Sequence, residues 1–181
     1  MSLPSNIDVP LEYQEDDVSC VPVCMKMLLE FIRKENPTGY IPNLNVEEIS
    51  QTVGTDELGT PLENVDNINK KLQKTVPSVE FITKLNCRFE EIENEISEGR
   101  PVIAWVKIPY PHSIVVTGLN KDLLIIYYND PELGKKQIEI GKFISAWNRT
   151  DNVLVKVKIG EKIQRIIPEY AEKKEEQSDK Q

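Results

Sequence analysis

The chain has 181 residues, 39% of them hydrophobic and 29% charged, and its 30 acidic side chains against 22 basic ones give a formal net charge of −8. That length fits one domain able to bury a core without disulfide or metal staples. No apolar run approaches the ~18 residues of a membrane-spanning helix, and an acidic chain without a basic cluster offers nothing to nucleic acid or an anionic membrane.

The start, Met1 to Asp8, lacks the basic residues and apolar stretch of a secretion signal, so a cytoplasmic location is expected. Residues 1–12 read as an extended polar lead-in. A helix is predicted over 20–35, where Cys20, Cys24, Met27, Leu28 and Phe31 fall on one face at a 3.6 period. Ser19 or Asp17 is placed to cap it, Pro22 is tolerated in the first turn, and Asn36-Pro37 followed by Gly39 stops it. Asn45-Val46-Glu47-Glu48 and Thr60-Pro61-Leu62-Glu63 are capping-box patterns opening two short helices. The second of these takes Leu62, Val65, Ile68 and Leu72 as its apolar face. Val79–Ile82 reads as a short strand, and Phe89, Ile92 and Ile96 mark a helix ended by Gly99. The Glu90–Glu95 acids are expected on its solvated side.

From Pro101 the pattern turns to strands: Pro101–Ile108, His112–Leu119, Leu123–Asn129, Lys136–Ile140 and Asn152–Ile159. A short helix over Lys142–Asn148 precedes the last. Short connections predict an antiparallel meander, and helices first with strands after predict an α+β fold. One domain over 1–168 is expected. The charged tail 169–181 either extends a helix or is disordered.

Three cysteines and one histidine limit the chemistry. An odd count precludes full pairing, and reduced thiols are expected. A zinc set would need Cys20, Cys24, Cys87 and His112 together, without the paired Cys-x-x-Cys spacing; no metal or cofactor is expected. Cys20 lies in the first turn of the long helix, where free N–H groups and the helix dipole favour a thiolate. Taken alone, it reads more readily as a buried structural thiol, since it shares the apolar stripe. His112 opens one strand and Asp130 closes the next. A three-residue loop pairing Leu119 with Leu123 sets His112 opposite Asp130, with Cβ atoms ~4.5–5.5 Å apart. A two-residue loop sets Asn129 there instead. Either group would orient the imidazole while its other nitrogen takes a thiol proton. The plainer reading is a histidine at a strand end and a turn at Asn129-Asp130-Pro131. Cys24 and Cys87 are expected to be inert. Tyr110-Pro111 are candidate walls of a cleft, and Trp105, Tyr127 and Tyr128 are expected as strand packing.

These residues, with several flanking motifs, resemble the papain-like cysteine peptidases of the bacteriocin-processing type, cysteine peptidase family thirty-nine. The resemblance runs from Val9 to Lys158. It rests on Gln14 followed after five residues by Cys20 and then Cys24, on Gly99-Arg100-Pro101-Val102-Ile103, on His112-Ser113-Ile114-Val115-Val116-Thr117-Gly118, on Asn129-Asp130-Pro131 and on Phe143-Ile144-Ser145-Ala146-Trp147. It implies a papain-like fold, with a helical half carrying the nucleophile helix packed on an antiparallel sheet. By the same implication Cys20 is the nucleophile, His112 the general base, Asp130 the orienting acid and Gln14, with the Cys20 N–H, the oxyanion donor. One departure is Val21, where the family has glycine after the nucleophile. A β-branched residue there narrows the site, alters specificity or marks a protein that kept the fold without the activity. The expected function is thiol-dependent hydrolysis of a peptide or amide bond through an acyl-enzyme, with a peptide or protein as partner. The alternatives are an acyltransferase or transglutaminase-like enzyme on the same residues, or a non-catalytic peptide-binding module.

Overall fold

Helix α1 (Cys20–Glu35) spans the range its apolar spacing predicts, in a computed structural model that describes residues 6–36, 41–76 and 78–160. The predicted stop signals Pro37 and Gly39 and the tail 169–181 lie outside the described residues. Asn36 itself finishes the helix, its N–H and its Nδ2 both donating to the Ile32 carbonyl at 2.9 Å. The predicted start needs correction. Neither Ser19 nor Asp17 caps; Asp16 Oδ1 accepts from the N–H groups of Val18 and Ser19, both at 2.8 Å. A bend over residues 15–18 places Asp16 beneath the free amides and leaves the Ser19 side chain without a cap bond.

Helix α2 (Val46–Val53) has the predicted capping box, with both the Asn45 and the Glu48 side-chain bonds formed, and Gly54 closes it at φ +67°. The second predicted box does not form. Thr60 Oγ1 bonds Thr55 Oγ1 at 2.8 Å instead, and Pro61 starts a 3-10 turn over Leu62–Asn67 that runs into α3 (Ile68–Leu72). The apolar face survives: Val65, Ile68 and Leu72 are buried. The polar side of that stretch ties to strand β1 (Val79–Lys84), through Asp66 to Thr83 and through Asn69 to both backbone groups of Phe81. Helix α4 is Phe89–Ser97. Its acids are not all solvated as expected: Glu91 and Glu95 reach Lys156 at 2.9 and 3.3 Å.

Strands β2 (Val102–Lys107), β3 (Pro111–Asn120), β4 (Ile125–Asp130) and β5 (Gly134–Glu139) form the predicted meander. Helix α5 (Ile140–Trp147) follows, and β6 (Leu154–Ile159) does not extend the meander. It returns to lie between β1 and β2, giving one six-stranded sheet ordered β1-β6-β2-β3-β4-β5. The physical reason is burial. Leu154, Val155 and Val157 of β6 need a central position, whereas β5 is mostly exposed and carries Lys135 and Lys136, a strand suited to an edge.

Helices cover both faces of the sheet. On one, α1, α2 and α3 pack with Phe81, Ile103, Val115 and Val155. On the other, α4 and α5 pack with Ala104, Ile114, Val116 and Leu154. Phe143 and Trp147 of α5 stack at 5.8 Å between ring centroids. The helices on both sides explain why β3 is buried without a break from Ser113 to Leu119, and each fully buried Ile or Leu contributes roughly 2 kcal/mol.

The β3–β4 register differs from both predicted forms. The strands are joined by a four-residue loop, with Asn120 pairing Ile125 and Gly118 pairing Tyr127. An irregularity at Thr117 then shifts the register, so that Val116 pairs Tyr128 and Val115 pairs Asn129. This β-bulge decides the site. Without it the tip register would set Asp130 opposite Val115, on the α1 face. With it, Asp130 falls beside Ile114 and on the side of His112, two residues back. The Thr117 carbonyl accepts from Ile7 N at 2.7 Å, which fixes the extended lead-in along the sheet.

Candidate active site

Cys20 stands at the first position of α1. One turn deeper, Cys24 Sγ donates to the Ser113 carbonyl at 3.3 Å and pins the helix to β3. The Cys20 thiol therefore meets the start of β3 at His112 and Ser113. Burial pushes this thiol up, but His112 and the N–H and hydroxyl of Ser113 outweigh it, and its pKa is lowered overall. The other two thiols go the opposite way. Burial, and then the charges of Cys20 and Asp130, hold Cys24 well above its ordinary value, and burial raises Cys87. Among the three cysteines, Cys20 alone has its pKa lowered.

His112 pairs in register with Val106 of β2, not with Asp130. Its Nε2 nevertheless lies 2.9 Å from Asp130 Oδ1. The two are diagonal neighbours across β3 and β4, a spacing that long side chains bridge. The same Oδ1 accepts from the N–H groups of Glu132 and Leu133 at 2.8 and 3.0 Å. Burial would raise the Asp130 carboxyl, yet His112 and those amides hold it below the usual range. Burial disfavours the imidazolium, but Asp130 and Cys20 more than compensate and raise His112 to about 9. With Nε2 taken by Asp130, Nδ1 is the nitrogen left for the thiol. The two shifts run in the direction that favours a thiolate beside an imidazolium. Asn129, the other predicted partner, points to the opposite face and donates to the Val9 carbonyl at 3.1 Å.

Gln14 is held near this group by its backbone, whose N–H donates to the Pro131 carbonyl at 2.8 Å. Its Nε2 donates to the Asp16 carbonyl at 2.8 Å, which leaves its second amide hydrogen free. The Cys20 N–H, at the first helical position, has no intrahelical acceptor. Gly134 supports the arrangement: at φ +81° it turns the chain after Asp130, and a Cβ there would lie 2.7 Å from Tyr13 Oη. Ser113 is the residue that sequence reasoning missed. Its only signal is its place next to His112, and its effect on the thiol depends on how closely α1 approaches β3. Val21 is buried in the α1 core. Tyr110, a predicted wall, is 76% exposed at the β2–β3 turn, while Trp105 packs on the α1 core opposite Ser113. Among the described residues, no three His, Cys, Asp or Glu side chains are placed to hold a metal ion, and no helix is long and apolar enough to cross a membrane.

Comparison with known proteins bears on the family and the fold. The profile of the Peptidase_C39 like family matches residues 6–155. A search of the curated proteins finds no match. Among solved structures, a double glycine motif protease from an AMS/PCAT transporter, in complex with the leader peptide, superposes with a TM-score of 0.65 at 18% identity, over 86% of this chain and 94% of that one. A putative C39-like peptidase from Bacillus anthracis gives 0.65 at 13% identity, over 87% and 98%. The peptidase domain of Streptococcus ComA, a bifunctional ABC transporter of a quorum sensing pathway, gives 0.60 at 18% identity, over 82% and 97%. The shared architecture is that of papain-like peptidase domains, and the protein belongs to the Peptidase_C39 like family.

Proposed function

We propose that the protein is a thiol-dependent peptidase in which Cys20, His112 and Asp130 form the catalytic triad and Gln14 assists as oxyanion donor. The observation that carries this reading is the His112 Nε2–Asp130 Oδ1 contact of 2.9 Å beside a thiol of lowered pKa. The Cys20 thiolate attacks the carbonyl carbon of the scissile amide. Charge develops on the carbonyl oxygen, which the Cys20 N–H and the free Gln14 amide hydrogen stabilise. His112 passes its proton to the amide nitrogen, the C–N bond breaks and the amine leaves. A thioester remains on Cys20. Water, losing its proton to His112, attacks that thioester and releases the acid, and the regenerated thiolate and imidazolium restore the resting pair. Asp130 keeps the ring oriented throughout. A peptide substrate is supported by the family and by the leader peptide bound to one structural relative.

Iodoacetamide labelling of Cys20 across pH 4 to 9, with His112→Ala as comparison, tests the triad. Rapid labelling that persists well below pH 8 and collapses in the variant is the expected result. Labelling that follows an ordinary thiol near ~8.5 and ignores the substitution would overturn the catalytic reading in favour of a binding module.

A further inference from the structure

The lead-in is a strap whose fastenings converge on the strands that carry His112 and Asp130. Three hydrogen bonds hold its backbone there. Ile7 N–H donates to the Thr117 carbonyl at 2.7 Å, Asn129 Nδ2 donates to the Val9 carbonyl at 3.1 Å, and Gln14 N–H donates to the Pro131 carbonyl at 2.8 Å. The charged side chains of the strap reach the other half of the molecule, Asp8 to Lys34 and Glu12 to Lys26, both on α1. Asp8 is 75% exposed and Lys34 50%, and pairs in water hold little. The hydrogen bonds therefore decide where the strap lies. Among them the Asn129 bond is the one made by a side chain. Asn129 is buried, and so is Val9, whose carbonyl it holds. The same Nδ2 lies 3.8 Å from Met27 Sδ of α1. One amide thus touches the strap and the nucleophile helix from the end of β4, at a place where water does not compete for the bond. Five residues after Val9 the strap delivers Gln14, tied by its N–H to Pro131 and by Nε2 to the Asp16 carbonyl at the helix start.

We propose that Asn129 is a positioning residue for catalysis: by holding the Val9 carbonyl it sets the strap, and through the strap it places the Gln14 amide beside Cys20. Adjacent residues of one strand end then serve two parts of the site. Asp130 orients His112 on one face of the sheet, and Asn129 aligns the oxyanion donor from the other. This role rests on the peptidase reading, and the two are tested separately.

Two reactions of Cys20 on the full chain distinguish the thiolate from the oxyanion donor, each corrected for a Cys20→Ser background. Iodoacetamide loses iodide from a saturated carbon and develops no oxyanion. p-Nitrophenyl acetate is attacked at its carbonyl carbon: the C–S bond forms, the C–O bond breaks, p-nitrophenolate leaves, and charge passes through the carbonyl oxygen. The ratio of acylation to alkylation therefore reads the oxyanion site and is blind to a general loss of thiolate. Gln14→Ala should lower this ratio about 10²-fold and Asn129→Ala about tenfold. Because Asn129 acts through Gln14, the double variant should match Gln14→Ala within about twofold. Val9→Ala loosens the same strap from its own side and should show the same dependence on Gln14; it takes the place of Asn129→Ala if that variant does not fold. A ratio within about twofold of the unsubstituted chain, or losses that multiply in the double variant, overturns the positioning role. His112→Ala is alkylated alongside. Alkylation that depends on His112 with an unmoved ratio removes the positioning role alone. Alkylation that ignores His112 removes the peptidase reading and this role with it.

Discussion

Asp130 is the residue on which the charge state of the site turns. It holds His112 at about 9, and His112 in turn lowers Cys20. On the proposed mechanism the working ion pair is confined between the lowered pKa of Cys20 and about pH 9, and kcat/KM should follow a bell with its alkaline limb near 9. Asp130→Asn keeps the shape and removes the charge. His112 should then drop back toward its ordinary 6.5 while Cys20 rises, so the bell narrows from both sides and kcat/KM at pH 7 falls about 10²-fold. The stability sign follows from the same shift. A histidine raised in the folded state stabilises the fold fully below pH 6.5 and loses that contribution as pH rises through about 9. Ser113→Ala should act on one limb only, moving the acid limb to higher pH and leaving the alkaline one in place. Unchanged limbs in both variants, read from pH profiles of kcat/KM or of thiol labelling, would contradict this linkage. Cys20 and His112 stood out as candidates by residue type and position, Asp130 shared its candidacy with Asn129 because the register was open, and Gln14 entered only through the family resemblance. Ser113 was not legible, because its influence arises only where α1 closes on β3.

At the scale of elements, local signals worked where local bonds decide. The Asn45–Glu48 box forms through two bonds within one turn, and the Lys71 ammonium, 3.8 Å from the other Glu48 oxygen, does not displace them. The Thr60 box fails because Thr55 claims the hydroxyl. The β-bulge at Thr117 was invisible for a different reason: register depends on the partner strand and the loop, and neither has a residue-level signature here. Strand β1 presents a similar long-range dependence. It is a sheet edge, and Asn69 covers it by donating Nδ2 to the Phe81 carbonyl and accepting from the Phe81 N–H, both at 2.8 Å. Asn69→Ala frees both backbone groups at a part-buried site and should cost about 2 kcal/mol. Hydrogen exchange should accelerate at Phe81 and its neighbours while Cys20 labelling stays unchanged. An exposed edge also invites pairing with a second copy, so self-association of the variant at high concentration is expected. Unaltered exchange at Phe81 would show that the edge is held by something other than Asn69.

Over the whole molecule, the sequence pointed to α+β from helices first and strands after, and to which residues enter the core. It did not show that β6 returns to bridge β1 and β2, since a strand pattern does not name its partner. That return brings Lys156 against α4, 65 residues away in sequence, where it meets Glu91 and Glu95. The hydrogen bond from Lys156 draws Glu91 down to about 2; burial opposes the shift, and the charge of Lys156, the Arg88 N–H and Lys84 reinforce it. A carboxylate lowered on folding stabilises the fold above its ordinary pKa of 4.5 and loses that contribution as pH falls through 2. Glu91 is 27% exposed, so solvent screening reduces its share at neutral pH to about 1 kcal/mol, a Tm change of roughly 2–4 °C. Glu91→Gln should show that deficit at pH 7, and the deficit should shrink steadily below pH 4.5 as the wild-type carboxylate takes up its proton. The Cys20 labelling profile should not move, because the ion pair ties α4 to β6 and touches no part of the thiol site. A deficit that stays constant from pH 7 to pH 2 would assign the loss to packing, and the charge link between α4 and the returning strand would be withdrawn.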